Sequence, residues 1–107
     1  MMTLDKVRDD VLTECADDHV GLWSLVWQVR HELGTSDPDV LRRQVLDLIR
    51  QLLASGKVRA GFPAPDGRGF REWSLPPDQL IARIQAEWNA LGRTPDIGDI
   101  VYFTTIS

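Results

Sequence analysis

The chain has 107 residues, 43% of them apolar and 26% charged, and its formal net charge is −4. This length predicts one domain that buries roughly two-thirds of its unfolded surface, which excludes separate catalytic and binding domains. The longest apolar run, residues 20–29, is interrupted by polar side chains and is shorter than the ~20 residues that span a bilayer, which excludes a membrane helix.

Two amphipathic patterns open the chain. Apolar residues at helical spacing predict a first helix over residues 3–16 with Thr3 as its N-cap. Residues 20–33 predict a second helix, whose apolar stripe is widened by Trp23 and Trp27 on a neighbouring face. We therefore expect the second helix to be central, with both tryptophans in the core.

The next segment predicts a third helix and a hairpin. Gly34 ends the second helix, Ser36 or Asp37 caps the third, and Pro38 suits its first position. The third helix ends at residues 54–56, where the sequence is ASG. Alternating residues then predict strands over residues 57–62 and 70–75, joined by a turn of about seven residues.

The C-terminal part predicts one more helix and one more strand. An apolar stripe predicts a helix over residues 77–91, which Gly92 ends. β-branched and aromatic residues predict a strand over residues 100–106. We expect this strand to pair with the hairpin and form a three-stranded sheet.

The order helix, helix, short turn, helix, hairpin is that of a winged helix-turn-helix. Residues 52–58, LLASGKV, resemble the end of the third helix and the start of the wing in winged-helix proteins. The resemblance covers residues 20–75. The expected fold of residues 1–107 is therefore a single α+β domain of winged-helix type, extended by a first helix and by a C-terminal helix and strand.

Charge is segregated along the chain. Residues 1–41 carry three basic and nine acidic side chains, residues 42–71 carry seven and two, and residues 72–107 carry two and five. The basic segment coincides with the expected third helix and wing. Both a nucleic-acid and a protein partner therefore have to be considered.

DNA binding would use the basic segment, with phosphate contacts expected from Arg42, Arg43, Arg50, Arg68 and Arg71. Two features oppose it. Asp37 and Asp39 lie at the end of the third helix that would enter the major groove, and Asp47 lies between the exposed arginines. Such a regulator would also need to dimerise, and the sequence leaves open whether the first helix serves the core or a dimer.

Protein binding would use the acidic side chains. A compact acidic protein suits a basic partner, because complementary charge accelerates encounter. Tryptophan is enriched at interface hot spots, and Trp73 at the base of the wing is the one we expect to be partly exposed. The expected contacts are Asp9, Asp10, Asp17, Asp18, Trp73, Asp96 and Asp99.

Two segments carry a second resemblance. Residues 20–27, VGLWSLVW, and residues 88–103, WNALGRTPDIGDIVYF, resemble small single-domain bacterial immunity proteins of polymorphic-toxin and contact-dependent-inhibition systems. The resemblance implies a protein that binds its cognate toxin in the cytoplasm and blocks its active site. Many such toxins are basic nucleases, which an acidic inhibitor would complement.

Catalytic and metal signals are weak. His19 and His31 have no partner at a recognised metal-ligand spacing, and Cys15 with His19 supplies only two ligands. Gly67 and Gly69 belong to a hairpin turn, and no serine has the context of a nucleophile elbow. We therefore expect neither an enzyme nor a cofactor.

The sequence thus favours a non-enzymatic protein-binding module, most specifically an immunity protein that neutralises a basic toxin. The alternative is a winged-helix transcriptional regulator. The single cysteine and the absence of a visible signal peptide favour the cytoplasm, and neither reading involves a membrane.

Overall fold

The computed structural model describes residues 4–64, 69–96 and 99–105, apart from the side chain of Asp17. These residues form an α+β domain with four helices and a four-stranded antiparallel sheet. In chain order the elements are α1 Leu4–Asp17, β1 Val20–Gly21, α2 Leu22–Leu33, α3 Pro38–Ala54, β2 Val58–Pro63, β3 Phe70–Glu72, α4 Pro77–Leu91 and β4 Tyr102–Thr105.

Local signals set most helix ends. Gly34 follows α2 with a φ of 65°, and its N–H donates a hydrogen bond to the Arg30 carbonyl oxygen. Glycine has no Cβ, so it adopts this left-handed conformation without a steric penalty and ends the helix. At the start of α3 the Asp37 carboxylate accepts hydrogen bonds from the backbone N–H groups of Asp39 and Val40. Asp37, rather than Ser36, is therefore the N-cap.

The sheet has the strand order β1-β4-β2-β3. The last strand pairs with β2 of the hairpin, as the sequence predicted, and it also pairs with β1. The sheet therefore has four strands instead of the expected three. Val20, Phe103 and Ala60 lie side by side in register and are all buried, so this face of the sheet packs on the helices.

The central helix is α3. It contacts α1, α2, α4 and β2, and its buried residues run from Leu41 to Leu52. The expectation that the second helix would be central is wrong, because α2 buries only one stripe and leaves Trp27 58% exposed. The first helix serves the core, since Val7, Val11 and Cys15 are buried in it.

Several predicted boundaries change. The helix expected over residues 20–33 begins at Leu22, because Val20 and Gly21 pair with β4. The second hairpin strand ends at Glu72 rather than at residue 75, and the last strand begins at Tyr102 rather than at residue 100. Ile100 has a φ of 68°, which is incompatible with a strand at that position.

Other predictions keep their boundaries or fall outside the structure. The helix over residues 77–91 is confirmed without change. The first helix, expected over residues 3–16, is seen as Leu4–Asp17, and its expected cap, Thr3, lies outside the described residues, as does Ile106. Among the residues that the structure describes, no helix has both the length and the apolar character to cross a membrane.

Candidate functional site

A groove of about 810 Å³ lies between α1 and α2. We call it the tryptophan groove. Its lining combines three carboxylates, two indole rings, an imidazole and three uncharged polar side chains. These residues are Asp10, Thr13, Glu14, Trp23, Ser24, Trp27, Gln28, His31 and Glu32.

The most exposed large apolar side chain of the described residues forms the floor of this groove. Trp27 is 58% exposed, and its indole ring stacks on the imidazole of His31 with centroids 5.0 Å apart and planes 5° from parallel. The imidazole therefore covers part of one face of the indole, and the rest of the Trp27 ring is open to solvent. Burying such a surface on a partner is favourable, so it marks a candidate interaction site.

Trp23 completes the aromatic lining by folding back over the start of α2. A Cβ atom at Gly21 would lie 2.6 Å from the Trp23 ring and 3.1 Å from the Tyr102 ring. Gly21 has an ordinary extended backbone, with φ −76° and ψ 156°. Glycine is therefore needed at position 21 for space, which allows the Trp23 indole to lie against the sheet.

A second groove, of about 440 Å³, adjoins the first. We call it the Tyr102 groove. It shares Glu14, Trp23 and Ser24 with the tryptophan groove, and it adds Asp18, His19, Val20, Gly21 and Tyr102. The Tyr102 ring also meets the exposed Phe62 edge-on, with centroids 5.2 Å apart. Aromatic rings therefore extend from α2 onto the sheet.

One lysine bridges two of the carboxylates. Lys6 Nζ lies 3.1 Å from Asp10 Oδ2 and 3.3 Å from Glu32 Oε1. Hydrogen bonds to Asp10 and then to Glu32 raise the pKa of Lys6 above its ordinary value. Glu14 has no ion pair among the described residues, so the groove keeps an excess of negative charge.

The predicted acidic contacts of the N-terminal region are divided between these two grooves and the rest of α1. Asp10 lines the tryptophan groove and Asp18 lines the Tyr102 groove. Asp9 is exposed on α1, where its Oδ1 accepts a hydrogen bond from Arg8 at 3.3 Å. The side chain of Asp17 lies outside the described residues.

The predicted contacts near the C-terminus belong to a local turn. Asp99 Oδ2 accepts hydrogen bonds from the Asp96 backbone N–H and from Arg93 Nη1, both at 2.8 Å. These two bonds, the backbone one first, lower the pKa of Asp99. Asp99 therefore stabilises the turn after α4, while Asp96 is exposed.

Trp73 lies outside both grooves, and another side chain of the chain already covers part of its ring. It is half-buried, and the Arg83 guanidinium stacks 3.6 Å above its ring. It lines a small groove of about 170 Å³ between the sheet and the start of α4. Trp73 is thus partly exposed, as expected, but Trp27 is far more accessible.

Two of the five arginines predicted for DNA binding are paired within the chain. Arg42 contacts Asp39 at 3.5 Å and donates to Asn89, and Arg50 contacts Asp47 at 3.1 Å. Arg43 and Arg71 are exposed, with no ion pair among the described residues. Arg68 lies outside the described residues.

The candidates for catalysis or metal binding are Cys15, His19 and His31. Burial raises the pKa of the Cys15 thiol to about 12, so it is protonated at neutral pH and is not a nucleophile. His19 follows the end of α1 and packs against the Phe70 ring. The described part of the chain contains no group of three or more His, Cys, Asp or Glu side chains placed to hold a metal ion.

Sequence analysis missed the groove residues on α2, namely Trp23, Trp27, His31 and Glu32, and also Glu14 on α1. A signal for Trp27 was present in its helical neighbours. Positions three and four residues away from it include Ser24, Arg30 and His31, which are polar and place Trp27 on the solvent-facing side of the helix.

Comparison of the chain with protein-family models, curated proteins and solved structures gives no match.

Proposed function

We propose that this chain is a non-enzymatic binding protein that captures a positively charged protein partner through the α1–α2 face. The observation that carries the proposal is the tryptophan groove, where the exposed Trp27 ring lies beside carboxylates of both helices. Interface hot spots combine a large aromatic anchor with polar groups around it. Complementary charge would steer a basic partner toward this face.

The most specific form of the proposal is an immunity protein that binds a basic toxin in the cytoplasm and blocks its active site. The resemblance of residues 20–27 supports it, because this segment supplies Trp23 and Trp27. Trp27 is a better candidate than Trp73 for the anchor, since Arg83 already covers the Trp73 ring. Asp10 and Asp18 remain the best of the predicted contacts, because both line the grooves.

The proposal is tested with any candidate toxin whose gene lies beside the gene for this chain. Co-expression should protect cells from the toxin, and the two purified proteins should form a complex whose association rate falls as salt is added. Replacing Glu14 and Asp18, which both line the Tyr102 groove, by lysine should slow association about tenfold at low salt. A toxin that neither binds the chain nor is neutralised by it contradicts the proposal.

The matched control replaces Asp47 and Asp78 by lysine. Both are exposed, on α3 and α4, so the net charge changes equally while the α1–α2 face is kept. This variant should associate at nearly the wild-type rate. Equal slowing of both variants would mean that net charge, rather than the α1–α2 face, determines encounter.

The second candidate function is DNA binding by a winged-helix-like unit over residues 20–75. The turn of residues 34–37 joins α2 to α3, and the β2–β3 hairpin follows α3 directly, which supports the winged-helix layout. The exposed Arg43 and Arg71 favour a phosphate contact. Fluorescence anisotropy with mixed-sequence duplex DNA tests it, since binding should be strong at low salt and fall steeply as salt rises.

A further inference from the structure

We infer that the tryptophan groove is a binding site for an arginine side chain of the basic partner. In this assignment the guanidinium stacks on the outer face of Trp27, and its N–H groups donate to carboxylates of α1. The inference rests on the proposed function, because it takes the occupant to come from a positively charged protein. It adds which chemical group enters the groove and which residues hold it.

The flat floor of the groove favours a flat cation. The His31 imidazole stacks on one face of the planar Trp27 indole, and the Trp27 side chain is still 58% exposed, so much of this flat ring is open to a partner. A guanidinium group is planar, stacks on aromatic faces and is less strongly hydrated than an ammonium group. Tryptophan is the best aromatic partner for a cation, and arginine makes such contacts more often than lysine does.

The chain itself makes this type of contact at another site. The Arg83 guanidinium lies 3.6 Å above the Trp73 ring, in a half-buried position. The described residues show no cation above the Trp27 ring. The Trp27 ring is therefore available to a cation of a partner, whereas the Trp73 ring already contacts Arg83.

The carboxylates at the rim of the groove supply negative charge that would attract an arginine side chain. Lys6 bridges Asp10 and Glu32, so these two carboxylates already share one cation of the chain itself. The third rim carboxylate, Glu14, is exposed and has no ion pair among the described residues. A charged hydrogen bond from a guanidinium to Glu14 would be stronger than one between neutral groups.

The test compares two peptides of equal charge by isothermal titration calorimetry. Hexa-arginine should bind the wild-type chain about tenfold more tightly than hexa-lysine does. The Trp27→Ala variant should lose about tenfold in affinity for hexa-arginine and little for hexa-lysine, so that the difference between the peptides disappears. Circular dichroism checks that the variant is folded.

Two matched controls separate the groove from general attraction. Trp73→Phe changes a tryptophan outside the groove and should leave both affinities unchanged. Glu14→Gln and Asp78→Asn each remove one negative charge, but only Glu14 lines the groove. Glu14→Gln should therefore weaken hexa-arginine binding severalfold more than Asp78→Asn does.

Two results would overturn the inference. One is equal binding of both peptides with no effect of Trp27→Ala, and the other is no binding of hexa-arginine even at low salt. Neither result touches the proposed function if the toxin is still bound and neutralised. If the toxin experiment fails, the proposed partner is wrong, but the peptide measurement still shows whether the groove binds arginine.

Discussion

The tryptophan groove and the basic segment of residues 42–71 carry opposite charge, and they handle that charge differently. In the basic segment, Arg42, Arg50 and Arg59 each lie within 4 Å of a carboxylate. In the groove, Glu14 is unpaired among the described residues and Trp27 is open. The basic segment is thus neutralised in part, although Arg43 and Arg71 are exposed with no ion pair among the described residues. The acidic α1–α2 face keeps an excess of charge beside the exposed Trp27 ring.

The prediction with the largest effect compares Trp27, which is exposed in the groove, with Trp88, which is buried beside the basic segment. Trp88 on α4 is 7% exposed, so Trp88→Ala should lower the free energy of unfolding by about 3–5 kcal/mol. Trp27→Ala should change it by less than ~0.5 kcal/mol. Urea unfolding measures both values, and similar losses would mean that Trp27 is part of the core.

The next effect tests whether Gly21 shapes the groove. Gly21→Ala should lower the free energy of unfolding by about 1–3 kcal/mol and change the tryptophan fluorescence, because the new methyl group overlaps the Trp23 ring. The same substitution in a Trp23→Ala background should cost much less. Equal costs in the two backgrounds would show that Trp23 does not need the space at Gly21.

A smaller effect concerns the two arginines of α3 that pair with carboxylates of the same helix. Asp39, which is 84% exposed in its side chain, and Asp47 pair with Arg42 and Arg50. Replacing both by asparagine should raise the affinity for duplex DNA at low salt about threefold to tenfold. The control, Asp5→Asn with Asp9→Asn on α1, changes the net charge equally. A gain as large in the control would show that pairing within α3 is irrelevant.

The smallest effect concerns Asp99. Because its pKa is lowered in the fold, its carboxylate stabilises the folded chain above the ordinary carboxyl pKa, and this contribution is lost as pH falls through the lowered value. Asp99→Asn should therefore destabilise slightly at neutral pH and flatten the stability profile below the ordinary carboxyl pKa. Urea unfolding at a series of pH values measures the profile, and an unchanged profile in Asp99→Asn would show that the turn does not depend on this carboxylate.

The features that sequence analysis predicted correctly are those with local causes. The helix over residues 77–91 is bounded by prolines at its start and by Gly92, which has a φ of 70°, at its end. The cap of α3 depends only on Asp37 and the next three residues. The pairing of the last strand with the hairpin was also predicted, because its alternation required a buried face.

The candidate site was predicted only in part. Asp10 and Asp18 were identified from charge, and both line the grooves. Trp27 was assigned to the core because its spacing to Trp23 and the apolar stripe is helical, yet one helix face is left without a packing partner. Periodicity shows which residues share a face of a helix, but it does not show which face another element will cover.

The sequence by itself determined the kinds of element, most of the helix ends and the hairpin, because each depends on residues within a few positions of one another. Only the tertiary structure decided that Val20 and Gly21 would leave the helix for a strand opposite Phe103 and Tyr102. It also made α3 central and placed Lys6 of α1 against Glu32 of α2. These contacts join distant parts of the chain, and their free energy depends on how the elements pack together rather than on any one element.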